Sequence, residues 1–393
     1  MTGSVLFDAR LVLKHPTGIG RYIASLVPEL VRQAPGTTFH LLRGPDPWPG
    51  YGLDELEAPN LVHHVWSLRH MTVRQHLDVP RAASELGVDL LHYPHFDAPV
   101  DLARVPVVAT VHDTKELPSS EFEGDLPFHK RAALRFLLRR TLRKASAIIT
   151  VSRATAEALD ALLPGSSSRV SVVHLAADPS FSPVDEEEAR GVTRARGLER
   201  PYVLTVSERR PHKNIEGLLR AYAASTCRET HDLVVVGRPW RSYRGPETAV
   251  EALDLSERAH ILSDVSHSEL VALYTAADAF ALVSFYEGFG LPILEAMACG
   301  TPVLASGVSA TGEVLGDAGL TIDPHDDDSI AAALDRLTGD RALRADCVER
   351  GFARASAFTW ERAARETLDL YERAAGDPRQ ADERLDAPDT KSS

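Results

Sequence analysis

The chain has 393 residues, room for two domains, and its 44% hydrophobic and 25% charged content is that of an ordinary globular protein. A formal net charge of −13 offers no global attraction for phosphate backbones, which argues against a general nucleic-acid binder but not against a local anion site. Three scattered cysteines, Cys227, Cys299 and Cys347, form no metal or disulfide pattern. The opening "MTGSVLFDAR" lacks a signal-peptide layout, and no apolar run nears the ~20 residues of a membrane-spanning helix. Together these point to the cytoplasm.

Along the chain, short apolar runs alternate with longer amphipathic stretches. Strands are predicted at 4–9, 105–113, 146–152 and 169–175, then at 202–207, 232–237, 259–263, 278–284 and 301–306. Helix-like segments lie at 127–144, 153–163, 213–225, 267–277 and 291–299. This alternation implies parallel sheets covered on both faces, with ligands at the carboxyl ends of strands. The pattern breaks at 176–200, where Pro179, Pro183 and a charged run suggest a hinge into a second doubly wound domain. The expected division is 1–180, 181–357 and a closing helix at 358–375 that returns to the first domain. The polar tail 376–393 reads as disordered.

The most informative stretch is Glu287–Gly300, "EGFGLPILEAMACG". It follows a strand, and Pro292 suits the first turn of a helix that Gly300 ends. The free amides of Gly290, Leu291 and Ile293 would then form an anion site at the positive end of the helix. Glu287 precedes the helix and Glu295 sits on its first turn, so both acids can flank the anion. Carboxylates are poor partners for phosphate but good ones for vicinal hydroxyls. The set suits a nucleotide diphosphate sugar; spacing alone equally allows a surface loop with two solvated acids.

This stretch resembles the Glu-x7-Glu motif of glycosyltransferase family 4, the retaining family with the GT-B fold. The likeness extends over "HSELVALYTAADAFALVSFYEGFGLPILEAMACGTPVLASGVSATGEVLGDAGLTIDP" at 267–324. Ordered landmarks agree: "TGIGRY" at 17–22, "TVHD" at 110–113, "ASAIITVSRATAEAL" at 145–159, "VVHLAADPSF" at 172–181, "RRPHKN" at 209–214 and "FTWERAARETLDLY" at 358–371. The resemblance is strongest to bacterial mannosyltransferases of polysaccharide assembly. It implies two Rossmann-like domains, the first binding the acceptor and the second the nucleotide sugar in an interdomain cleft.

The resemblance also implies residue roles. Glu287 contacts the donor sugar, Glu295 grips the ribose, and Lys213 neutralises the diphosphate. The arginine that usually helps stands five positions before the lysine, where this chain has Glu208, so Arg209 or Arg210 takes its place; Arg209 is the choice made here. His112 matches a histidine near the reacting centre, and Gly18 and Gly20 belong to a loop that approaches the diphosphate. Taken alone, "TGIGRY" is a plain strand-to-helix turn, and a lone His112 is more often structural than catalytic.

Transfer to an acceptor with retention follows, with GDP-mannose the first choice of donor and UDP- or dTDP-sugars as alternatives. The acceptor is a glycan, a lipid-linked sugar or a small molecule, read by loops such as 43–75 and 114–127. No metal is expected: "DDD" at 326–328 reads as a helix start. Two other functions are a sugar-nucleotide epimerase of the same fold and a non-catalytic nucleotide-sugar binder. Residues 128–144 carry seven Lys or Arg and no acid. This stretch is either the solvated basic face of a domain helix or an interfacial helix making weak peripheral contact with anionic lipid.

Overall fold

The computed structural model describes residues 3–14, 17–47, 49–67, 70, 72–114 and 128–376, with Phe128 described in its backbone only. The expectations for the 377–393 tail and for the 115–127 part of the acceptor loops fall outside these residues. The chain divides into two compact units: Met1–Leu175 with Trp360–Ser393, and Ala176–Thr359.

The first unit runs β1 (Gly3–Asp8), α1 (Gly18–Gln33), β2 (Thr37–Arg43), β3 (Leu61–Val65), α2 (Gln75–Glu85), β4 (Leu90–Tyr93), β5 (Val107–Val111), α3 (Phe128–Lys144), β6 (Ala147–Thr150), α4 (Arg153–Leu162) and β7 (Val170–Val172). Its seven strands are all parallel, in the order β3-β2-β1-β4-β5-β6-β7. β4, β5 and β6 are buried at every position, as strands covered on both faces must be, their polar residues His92, Thr110 and Thr150 included. Side-chain oxygens start the helices: Thr17 accepts from the Gly20 amide (3.0 Å) and Ser152 from that of Thr155 (3.1 Å). Each such cap is worth about 1 kcal/mol.

The second unit runs α5 (Glu186–Ala195), β8 (Tyr202–Val206), α6 (Ile215–Ala224), α7 (Cys227–Thr230), β9 (Asp232–Val236), α8 (Gly245–Ala252), β10 (Ala259–Leu262), α9 (His267–Ala276), β11 (Ala279–Leu282), α10 (Leu291–Ala298), β12 (Val303–Ser306), α11 (Ser309–Leu315), β13 (Gly319–Ile322), α12 (Asp327–Gly339) and α13 (Arg341–Ser356). Six parallel strands take the order β10-β9-β8-β11-β12-β13. In both units the order reverses beside the first strand, between β1 and β4 and between β8 and β11. In open α/β sheets ligands bind beyond the carboxyl ends of the strands at such reversals.

The last helix, α14 (Trp360–Ala375), belongs to the first unit and packs on α1. Its buried stripe of Trp360, Ala363, Ala364, Thr367, Leu370, Tyr371 and Ala374 has helical spacing. Tyr371 anchors it through a fully buried chain of hydrogen bonds. The Tyr371 hydroxyl meets His92 Nδ1 (2.5 Å), His92 Nε2 meets Thr110 Oγ1 (2.8 Å), and Thr110 meets the Tyr22 hydroxyl (3.0 Å). Burial first, and then the neighbouring His112, pushes the His92 pKa down to about 3, so its imidazole is neutral.

Several expectations need correction. The 176–200 segment is not a bare hinge: Glu186, Glu187 and Glu188 form the first turn of α5, capped by Asp185 and packed on α9. Acids in a first turn oppose the helix dipole, and that explains the charged run. β2, β3, β4 and β13, together with α1, α2, α7, α8, α11 and α13, are not among the elements expected from the sequence. "TGIGRY" is the first turn of α1 with its cap, not a loop.

Candidate active site

At the β8/β11 reversal two loops meet. The loop after β8 carries "SERRPHKN", with a single 3-10 turn at Pro211–Lys213. The loop after β11 carries Glu287 and Gly290. They are stitched by a backbone bond from the Phe285 amide to the His212 carbonyl (2.9 Å). Asn214, buried and left-handed at φ 53°, donates from Nδ2 to the carbonyls of Pro324 (2.8 Å) and Val283 (3.3 Å). Asn tolerates that backbone better than most residues. It thereby fixes where the preceding Lys213 stands.

Lys213 Nζ lies 2.7 Å from both oxygens of Glu287, and the pair is mostly buried, at 17% and 13% exposure. Ser284 Oγ donates to the same carboxylate (2.7 Å), and the Glu287 amide donates to Ser309 Oγ (3.0 Å). The first acid therefore has a cation partner that was invisible in its own stretch of sequence. Lys213 comes from 74 positions away.

Beside this pair α10 begins. Gly290 caps it at φ 109°, a backbone region closed to residues with a side chain. Pro292 occupies the first turn, and Gly300 ends the helix at φ 77°. There the Thr301 amide returns to the Ala296 carbonyl and the Gly300 amide to that of Met297, a Schellman closure. One expected free amide is not free, because Ile293 donates to the Gly290 carbonyl (3.0 Å). Among the described residues, the amides of Gly290 and Leu291 have no such bond. They supply the donors at the positive end of α10.

Glu295 is the fifth residue of α10, a turn deeper than expected, and only 2% exposed. The Tyr274 hydroxyl donates to its Oε2 (3.0 Å), and Thr301 Oγ1 donates to the Tyr274 carbonyl (2.6 Å). The second acid is thus aimed from below the loop by α9. Arg209 is also buried, at 4% exposure. Its amide donates to the Arg238 carbonyl, and its guanidinium lies 3.4 Å from Glu247 on α8. Arg210 is the more accessible; it pairs with Glu208 (2.5 Å) and lies over the Trp240 ring (5.0 Å). Asn214, Tyr274, Ser284 and Ser309 were missed by sequence reasoning. Only Asn214 had a signal, its place in "HKN".

In the first unit, His112 follows β5 at the carboxyl end of the sheet. Its Nε2 meets the Pro94 carbonyl (3.2 Å), and its ring stands edge-on to Tyr22 at 4.8 Å. Burial, then the nearby His95, lowers its pKa to about 4, so it is a neutral donor and acceptor at pH 7. Gly20 packs against Tyr51, and a Cβ there would come within 2.9 Å of that ring; Gly18 faces open space. The "DDD" stretch is accounted for locally: Asp326 caps α12, and Asp327 pairs with Arg220. On α3, Leu138 and Leu142 are buried and Arg140 and Lys144 reach Asp101, while Phe136 is 65% exposed. No helix among the described residues is long and apolar enough to cross a membrane.

Comparison with known proteins identifies the family. The family model "Glycosyltransferase Family 4" matches residues 16–181, and "Glycosyl transferases group 1" matches 187–354. O-antigen chain mannosyltransferase B of Escherichia coli is 35% identical over 294 residues, 72% of this chain and 74% of that protein. The D-inositol 3-phosphate glycosyltransferase of Salinispora tropica is 30% identical over 382 residues, 91% of this chain and 77% of that protein. Among solved structures, Anabaena Alr3699/HepE in complex with UDP and glucose superposes with a TM-score of 0.74 at 19% identity, over 94% of this chain and 99% of that one. With two parallel Rossmann-like sheets, both family models in order and a relative at this identity, the chain belongs to the group 1/family 4 glycosyltransferases and has the GT-B fold.

Proposed function

We propose that the protein transfers a hexose from a nucleotide diphosphate sugar to a glycan, lipid-linked or small-molecule acceptor, with retention at the anomeric carbon. The observation that carries this reading is the convergence of Lys213, Glu287 and the α10 N-terminus at one strand-order reversal. Mannose is the first choice of sugar, supported by the Escherichia coli relative's name. The UDP complexes of Alr3699/HepE keep UDP-sugars in view. The cytoplasm is the assigned compartment, supported by three buried, unpaired cysteines.

Cleavage of the anomeric carbon–oxygen bond passes through an oxocarbenium-like state and loads negative charge onto the departing diphosphate. Lys213 and the Gly290 and Leu291 amides are assigned to receive that charge, a role in which one contact contributes about 3 kcal/mol, or about a hundredfold in rate. Glu287 is assigned to the sugar hydroxyls. Glu295, oriented by Tyr274, is assigned to the ribose. Arg209, held against Glu247, is given a supporting part that fixes the β8 loop, and His112 a part in transfer. No metal is required by this scheme.

A thermal-shift screen with GDP, UDP, dTDP and ADP tests the reading. One nucleotide at about 100 times its dissociation constant stabilises the protein by about 2.7 kcal/mol. The matching nucleotide sugar should then release nucleotide faster when acceptor is added. Release of a modified sugar without acceptor would establish the epimerase instead, and binding without turnover the non-catalytic binder.

A further inference from the structure

A second polar cluster lies in the first unit, at the carboxyl end of β4, and none of its side chains has been given a role above. His70 comes from the segment between β3 and α2, and His95 and Asp97 from the segment after β4. Their ligand-capable atoms lie within 4.8 Å of one another. The geometry points to a binding site for one divalent transition metal of the zinc class, held by His70, His95 and Asp97. Two imidazoles and a carboxylate are a donor set that such ions favour over magnesium or calcium.

The surroundings are those of a prepared site. Asp97 is buried, and its Oδ2 accepts from Gln75 Nε2 (2.6 Å) while Oδ1 meets His95 Nδ1 (2.5 Å). Its side-chain partners are thus an amide and an imidazole, so a buried carboxylate charge stands without a lysine or arginine bonded to it. The nearby Arg10 is gripped by Asp8, with Nε at 2.9 Å and Nη2 at 2.5 Å from its oxygens. His70 is oriented from behind, because its Nε2 meets the Tyr93 hydroxyl (2.8 Å) and the ring stacks on Tyr93. Its other nitrogen, Nδ1, is buried with no hydrogen-bond partner. Such an outer hydrogen bond on one nitrogen leaves the lone pair of the other for a metal.

A bound ion would tie the β3–α2 segment to the end of β4. It would thereby act on the stability of this unit.

The test uses the full chain stripped with EDTA and titrated with cobalt(II), then with zinc(II) in competition. One equivalent should give a visible d–d spectrum that zinc abolishes, and zinc should raise the unfolding temperature. His70→Ala and His95→Ala should lose the spectrum, and Asp97→Asn should weaken binding at least tenfold. His64→Gln should change nothing; it removes one member of a separate histidine pair with His40 (3.0 Å). Far-UV circular dichroism in EDTA shows whether each variant is folded, and His70→Ala alters only a loop position if Asp97→Asn fails to fold. Absence of a cobalt spectrum in the wild type overturns the site, as does an unchanged spectrum in His70→Ala and His95→Ala.

Discussion

Replacing Glu287 by Gln separates the two jobs assigned to the Lys213 region. In the structure the ammonium is held by both Glu287 oxygens at 2.7 Å. A diphosphate that uses Lys213 must therefore compete with that carboxylate. A pair at 17% and 13% exposure is neither a surface bridge nor fully desolvated. Between the ~1 kcal/mol of exposed pairs and the several kcal/mol of broken buried ones, about 1–2 kcal/mol is the fitting figure. Glu287→Gln keeps the shape, so Ser284 still has an oxygen to meet, but it removes the charge that detains Lys213. Nucleoside diphosphate affinity should then rise by roughly five- to thirtyfold while sugar transfer falls by about a hundredfold or more. Lys213→Ala should do the reverse to binding, weakening the diphosphate more than the corresponding monophosphate. Calorimetry of GDP and UDP against the three proteins reads both effects. A loss of diphosphate affinity in Glu287→Gln as large as that in Lys213→Ala would refute the competition.

Three further outcomes are expected. Glu295→Ala should weaken nucleotide binding without altering the preference between nucleotide sugars, and unchanged affinity by calorimetry would remove Glu295 from the ribose. His92 has a folded pKa of about 3, below the ordinary 6.5, so the unfolded chain takes up its proton first. Its contribution is fully present above about pH 6.5 and is lost toward pH 3, at about 1.4 kcal/mol per pH unit. Urea unfolding of His92→Gln should therefore be less steep in pH than wild type by about one proton, and equal slopes would contradict this. Phe136, exposed on the basic helix α3, should insert into anionic vesicles at low salt, so that Phe136→Asp floats less. No flotation of the wild type would leave that face to solvent.

The sequence carried the strands of the second unit better than those of the first, for a physical reason. Its strands are apolar runs such as "DLVVV" and "AFAL", whereas β2, β3 and β4 contain histidines at His40, His63, His64 and His92. Those rings blur the apolar pattern, although His92 is fully buried and satisfied by Tyr371 and Thr110. The glycines of Glu287–Gly300 marked both ends of α10, because φ values of 109° and 77° leave little choice of residue. The same reading placed Glu295 too near the surface. Depth on a helix depends on what packs over it, here Tyr274 from α9, and spacing along one segment does not contain that. The Lys213–Glu287 pair and the turning of Arg209 toward Glu247 are contacts between distant segments and were likewise hidden.

Hydrogen exchange at the β8/β11 loops tests most directly whether a nucleotide diphosphate seats there. With a saturating nucleoside diphosphate, amides in peptides covering 207–214 and 285–293 should exchange more slowly, with protection greatest at Gly290 and Leu291 and reduced in Lys213→Ala. If every nucleotide leaves both peptides unchanged, or protects only segments of the first unit, the diphosphate does not bind at the start of α10 and the transfer scheme built on it fails.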